Sequence, residues 1–124
     1  MPSADTIKAS VRDYLDAVAN GTSADIAAHY TENATLEDPV GSPEYQGRAV
    51  IQEFYSTIAG TRRQTELLAI RVADNSAAFH FRIRTETPDG TSEIEPIDVM
   101  TFDEDGHITG MRAYWSPDDL RTLP

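Results

Sequence analysis

The chain has no cysteine in its 124 residues, so it must fold without disulfides, and no cysteine-ligated zinc site is available to it. Basic residues are scarce. Lys and Arg number 10 against 21 Asp and Glu, for a net charge of −11. Such a surface repels phosphate backbones and anionic lipid head groups, which argues against nucleic-acid and membrane partners. No apolar run approaches the length of a membrane span. The opening Met1 to Thr6 has neither a basic start nor an apolar stretch, so no signal peptide is read. Together with the missing cysteines, this leads to the expectation of a cytoplasmic protein.

Repeats, low-complexity tracts and linkers are also missing. The length argues for one domain spanning 1–124 around one core. A domain near this size buries roughly two-thirds of the surface its unfolded chain exposes, enough to fold without a structural metal.

Helical periodicity comes first. Ile7, Val11, Tyr14, Leu15 and Val18 recur at spacings of three and four and predict a helix that Asn20-Gly21 stops. Thr22 or Ser23 can cap a second, short helix carrying Ile26, Ala27 and Tyr30. A third is expected over 47–58, with Val50, Ile51, Phe54, Tyr55 and Ile58 inward and Gly60 closing it.

The second half has a different period. Ala77 to Arg84 alternates apolar and polar residues, the pattern of a half-buried strand, and a strand over 64–72 precedes it. Thr87-Pro88-Asp89-Gly90 reads as a hairpin turn, because Pro fixes one φ and Gly supplies a positive one. The next strand runs to Phe102, Asp103 to Gly106 turns again, and 108–116 returns. Helices followed by an antiparallel meander give an α+β fold.

Two aspartates sit awkwardly in this pattern. Asp98 lies in the apolar stretch Ile94 to Met100. Strand alternation puts it on one face with Ile94, Pro96, Met100 and Phe102, and leaves Glu93 and Glu95 on the other, solvated face. Pro96 suggests a bulge or an edge, which could re-aim the Asp98 side chain. A carboxyl among apolar groups must be paired, hydrogen-bonded or protonated. Pairing with Arg112 is the plainer reading, and the acidic background favours protonation. Asp38 precedes Pro39 at the end of a short strand-like run, and its plainer reading is a turn-opening residue. Tyr14, Tyr30 and Tyr55 each fall on an inward helical side, and such phenols ordinarily satisfy one another in a core. Convergence of these phenols with the two carboxyls would turn a set of core residues into a site.

Other patterns point away from chemistry. His29, His80 and His107 have no metal-ligand spacing. No nucleophile elbow and no glycine-rich phosphate loop are present. Asp103 to Gly106 lacks the ligand pattern of a calcium loop and reads as a turn.

Five segments carry a resemblance: Val11 to Leu15, Ala34 to Ser42, Ile51 to Tyr55, Pro96 to Asp98 and Met111 to Trp115. In this order and spacing, the chain resembles the bacterial ketosteroid isomerases (steroid Δ5-isomerases), in the SnoaL-like and nuclear-transport-factor-like superfamily. The likeness extends over nearly the whole chain. It implies a conical α+β fold, with a curved, mostly antiparallel sheet wrapped around three helices of the N-terminal half. It also implies a deep apolar pocket for a ketosteroid, a homodimer formed through the sheets, and neither cofactor nor metal. By the same resemblance Asp38 is the general base, Tyr14 the main oxyanion donor and Asp98 a second, protonated donor. Tyr55 would hydrogen-bond Tyr14, with Tyr30 outside it. Trp115 would lie beside the base, with Met111 and Met100 in the pocket. A polyketide cyclase, an epoxide hydrolase and a non-catalytic binder of apolar ligands are the rival readings of one such fold.

Overall fold

The computed structural model describes residues 2–123. Helix α1, Ala4–Asn20, starts at Ser3, whose Oγ accepts a hydrogen bond from the Thr6 N–H at 3.1 Å. It buries Ile7, Val11, Tyr14, Leu15 and Val18, the stripe that the sequence spacing predicts. Gly21 ends it for a steric reason, not for a special backbone angle. A Cβ there would lie 2.9 Å from the Ala17 carbonyl oxygen and 2.9 Å from Asp25 Cβ. That close approach lets α2, Ser23–Ala27, follow at once, capped by reciprocal bonds between Thr22 and Asp25.

After α2 the chain enters β1, Tyr30–Glu37, then β2, Tyr45–Gln46, and α3, Arg48–Ser56. Tyr30 is thus the first residue of a strand and not the last of a helix, because α2 stops at Ala27. Val50 also departs from expectation. It is 40% exposed, since α3 presents only Ile51 and Tyr55 fully to the core. The rest is sheet: β3 Arg62–Ala73, β4 Ser76–Thr87, β5 Gly90–Ile94, β6 Ile97–Phe102, β7 Ile108–Tyr114 and β8 Arg121–Leu123.

Among the described residues the eight strands form one sheet in the order β2-β1-β7-β6-β4-β5-β8, with β3 on the other side of β4. All pairings are antiparallel except β1 with β7. Register shifts at Leu67/Ala69 in β3 and at Thr101/Phe102 beside β7 bend the sheet, as bulges do. The sheet curves across the helices, with α1 packed on β3 and α3 on β1. The α+β class and the curved, mostly antiparallel sheet agree with the expectation from sequence. Among the described residues no helix is long and apolar enough to cross a membrane.

Pro96 divides what the sequence reads as one strand. The C-terminal half of β4 pairs with β5 (Ile83↔Ile94) and its N-terminal half with β6 (Phe79↔Asp98), so both short strands share one side of β4. Across the break the Phe81 N–H donates to the Pro96 carbonyl at 3.3 Å. Inward alternation survives: Pro96, Asp98, Met100 and Phe102 are buried. On the outer face the expectation of two solvated glutamates fails for Glu93. It is buried and ion-paired with Arg84 at 3.3 Å and Arg121 at 2.6 Å, because β8 covers it.

Arg63, which no sequence pattern singles out, ties both long helices to the sheet. Its buried guanidinium donates to the Val18 and Ile58 carbonyls at 2.6 Å each, to Thr61 O at 3.0 Å and to Gly21 O at 3.3 Å. A cation at the carbonyl ends of α1 and α3 also suits their helix dipoles. Replacing Arg63 with alanine leaves several buried carbonyls unpaired. Urea unfolding should therefore show a loss of about 2–4 kcal/mol in that variant.

Candidate active site

The concave side of the sheet and the facing helices enclose a cavity of about 360 Å³. Its walls are mostly apolar, among them Val18, Phe54, Phe81, Ile83, Met111 and Ala113. Into this lining project Asp38, Asp98, Tyr14 and Tyr55. The convergence that the sequence left open is thus present. A larger concavity of about 450 Å³ lies over α1 and α2, but Asp13, Asp16, Asp25 and Asn20 line it, and it offers no apolar enclosure.

Each polar group is delivered by a different element. The parallel register of β1 and β7, with Glu37 beside Arg112, carries the chain past the end of the sheet. There the Val40 N–H donates to Ala113 O at 2.8 Å. Asp38, which with Pro39 links Glu37 to Val40, then lies next to Trp115, which follows β7. The indole Nε1–H donates to Asp38 Oδ1 at 2.6 Å. This contact makes Asp38 more than a turn-opening residue. Burial pushes its carboxyl above the ordinary carboxylate range, and the Trp115 hydrogen bond pulls the other way.

Asp98, the second residue of β6 and paired across to Phe79 and Ala113, is 2% exposed. Arg112 is not its partner. That side chain is on the outer face, 3.1 Å from Glu37, one strand position out of phase with Asp98's partner Ala113. Among the described residues the buried Asp98 Oδ1 has no hydrogen-bond partner. Burial holds this carboxyl well above its usual range, and the charge of Asp38 raises it further.

Behind the cavity the three phenols form a chain. Tyr55 Oη lies 2.7 Å from Tyr14 Oη and 2.7 Å from Tyr30 Oη. All three are buried, and burial is the main reason each phenol stays protonated well above its ordinary range. Tyr14 and Tyr55 reach the cavity, whereas Tyr30 stands behind Tyr55 in the core. Met111 and Trp115 line the cavity as expected; Met100 does not. Met100 is two residues beyond Asp98 on the same face, fully buried under the helices and part of the core.

Sequence reasoning missed Phe54 and Phe81 as wall residues, although the clean alternation of β4 contained the signal for Phe81, Ile83 and Thr85. It also missed Leu120, in the segment that follows a short 3₁₀ turn at Pro117–Asp119 and leads into β8. That segment has no periodicity to read. One cluster could offer ligands to a metal, Asp103, Asp105 and His107, in the turn between β6 and β7. There Asp103 Oδ1 accepts from the backbone N–H groups of Asp105 and His107 at 3.0 and 2.9 Å, the ordinary task of a turn aspartate.

Comparison with known proteins places this geometry. A steroid Δ-isomerase of Nocardioides simplex is 55% identical over 118 residues, which cover 95% of this chain and 96% of that protein. Among solved structures, the epoxide hydrolase/cyclase-like enzyme SalBIII of salinomycin pyran-ring formation superposes with a TM-score of 0.91. It is 27% identical and covers 99% of this chain and 100% of its own. RV0760c of Mycobacterium tuberculosis, at 19% identity, a TM-score of 0.89 and coverage of 99% and 100%, shares the fold. Residues 11–111 match the SnoaL-like domain, and the chain belongs to that family.

Proposed function

We propose that the protein is a steroid Δ-isomerase converting 3-oxo-Δ5-steroids to 3-oxo-Δ4-steroids through a dienolate. The observation that carries the proposal is the meeting, in one apolar cavity, of a carboxyl bonded to an indole and a second carboxyl with an unpartnered oxygen. Identity of 55% to a steroid Δ-isomerase supports it.

The reaction follows from the two environments. Asp38, ionised, takes a proton from the carbon between the ketone and the alkene. The C–H electrons form a double bond to the carbonyl carbon and the carbonyl π pair moves onto oxygen, which leaves a dienolate conjugated with the existing alkene. The same carboxyl returns the proton two carbons away, the electrons regenerate the carbonyl, and the alkene ends conjugated to it. The Trp115 hydrogen bond keeps Asp38 available as an anion in a wall that would otherwise protonate it.

Charge growing on the substrate oxygen is met by Tyr14 and Asp98. Asp98 serves as a donor because its burial keeps the proton on, and its unpartnered Oδ1 marks a polar group awaiting a ligand. Tyr14 is free to donate to substrate when it accepts from Tyr55, which in turn accepts from Tyr30. The chain Tyr30 to Tyr55 to Tyr14 then polarises the terminal hydroxyl. These side chains supply the base and both donors that the chemistry requires.

Hydrolysis of an epoxide would need polar groups holding a water beside an aspartate. Among the described residues the wall offers no Asn, Gln, Arg or His near Asp38, which weighs against that reading for this chain. We also infer a homodimer through the outer face of the sheet. Ile97 and Tyr114, cross-strand partners there, are 46% and 43% exposed.

With 5-androstene-3,17-dione and detection of the conjugated enone by ultraviolet absorption, Tyr14→Phe should lower kcat by about 10²–10³. Asp38→Asn should lower it at least as far. Retention of wild-type turnover by Asp38→Asn would remove the base from the mechanism. Because burial raises the Asp38 pKa and protonation disables the base, kcat/KM should fall on the acid side at a pH above the ordinary aspartate range. For the interface, Tyr114→Lys should convert a dimer to a monomer in analytical ultracentrifugation. An unchanged sedimentation coefficient would place the contact elsewhere.

A further inference from the structure

The cavity has a second polar end. Along β4 and its partners, the inward positions read as rungs. Phe79 stands opposite Asp98, Phe81 meets Pro96, Ile83 stands opposite Ile94, and Thr85 stands opposite Ser92. The two middle rungs are apolar, and the last carries two hydroxyls. Thr85 and Ser92 both line the cavity, both are half-buried, and among the described residues neither side chain has a hydrogen-bond partner. Six residues separate Thr85 from Phe79, a path of about 20 Å at strand rise. Curvature of the sheet and the inward reach of the side chains shorten that span.

An apolar ligand end laid across two free hydroxyls would strip their water and leave both unpaired, which disfavours binding. A ligand oxygen at that place would accept from them instead. Among the described residues the lining holds no Lys or Arg, so the matching group is neutral, a carbonyl or hydroxyl and not a carboxylate or sulfate. We propose that Thr85 and Ser92 are specificity-determining residues that select a ketosteroid bearing a neutral oxygen function at the end opposite its 3-ketone, on ring D or on a short side chain of that ring. This deepens the isomerase reading and rests on it.

The test compares three skeletons: one without a distal oxygen, one with a ring-D ketone and one with a ketone on a two-carbon side chain. For the 3-oxo-Δ5 forms, KM and kcat are measured on wild type, on Thr85→Val/Ser92→Ala and on Ser92→Ala alone. For the corresponding 3-oxo-Δ4 forms, affinity is read from quenching of Trp115, the single tryptophan. At least one oxygenated ligand should bind wild type about tenfold more tightly than the skeleton lacking the oxygen, and the double variant should lose that preference. The change should appear in KM and not in kcat. The oxygenated ligand that loses affinity identifies where the oxygen stands. Equal affinities in wild type, or a preference surviving both variants, would overturn the proposal. Selective binding without isomerisation of any substrate would leave the role of Thr85 and Ser92 in place and remove the isomerase reading.

Discussion

A carboxyl group in an apolar wall is the constraint on which the rest of the site depends. Asp98, the second residue of β6, is held by strand pairing on both sides, so it cannot swing out to water without breaking the sheet. Among the described residues no cation acts on it; the charge that does is that of Asp38, which raises its pKa further. A bare carboxylate there would be very costly, so burial pushes the group toward its protonated form. The raised pKa has a consequence for stability. The folded chain holds this proton at pH values where the unfolded chain has released it. The contribution to stability is complete below about pH 3.9, the ordinary aspartate value, and is lost progressively as pH rises through the raised pKa of the folded state. Near neutral pH, Asp98 thus costs stability that a well-fitting asparagine would not. In the proposed mechanism, that cost falls on the group that serves as a donor to the substrate oxygen.

The rest of the architecture complements this group. Asp38 sits beyond the end of β1 and not within a strand, where Trp115 can reach it with a hydrogen bond that favours the anion. Burial raises both carboxyls; the indole N–H offsets part of that rise at Asp38, whereas at Asp98 the charge of Asp38 adds to it. Tyr14 arrives from α1, with Tyr55 of α3 behind it, so helix placement against the sheet sets the separation between phenol and carboxyl. Arg63, by joining the ends of α1 and α3 to β3, fixes that placement.

Much of this was legible in the sequence, and the failures have physical reasons. The α1 stripe and the alternation of β4 were readable because each buries one face of a long, regular element, so period and burial coincide. Asp98 stood out because alternation placed a carboxyl with Met100 and Phe102. Tyr30 was assigned to the wrong element because α2 has only five residues, and a short helix and the start of a strand can share the same apolar spacing. The resemblance puts Met100 in the pocket, but sharing a face with Asp98 does not fix depth, and Met100 is fully buried in the core. The buried state of Glu93 depends on β8, a three-residue strand whose pairing is long-range and leaves no local pattern. Arg63 resembles a surface arginine in sequence, since its partners are backbone carbonyls that no residue code records.

The division of charge between the two aspartates is the central claim, and carboxyl infrared spectroscopy tests it directly. At neutral pH, the difference spectrum between wild type and Asp98→Asn should lose a protonated-carboxyl C=O stretch. The Asp38→Asn difference should lose carboxylate bands instead. A carboxylate loss on substitution of Asp98 would contradict the account.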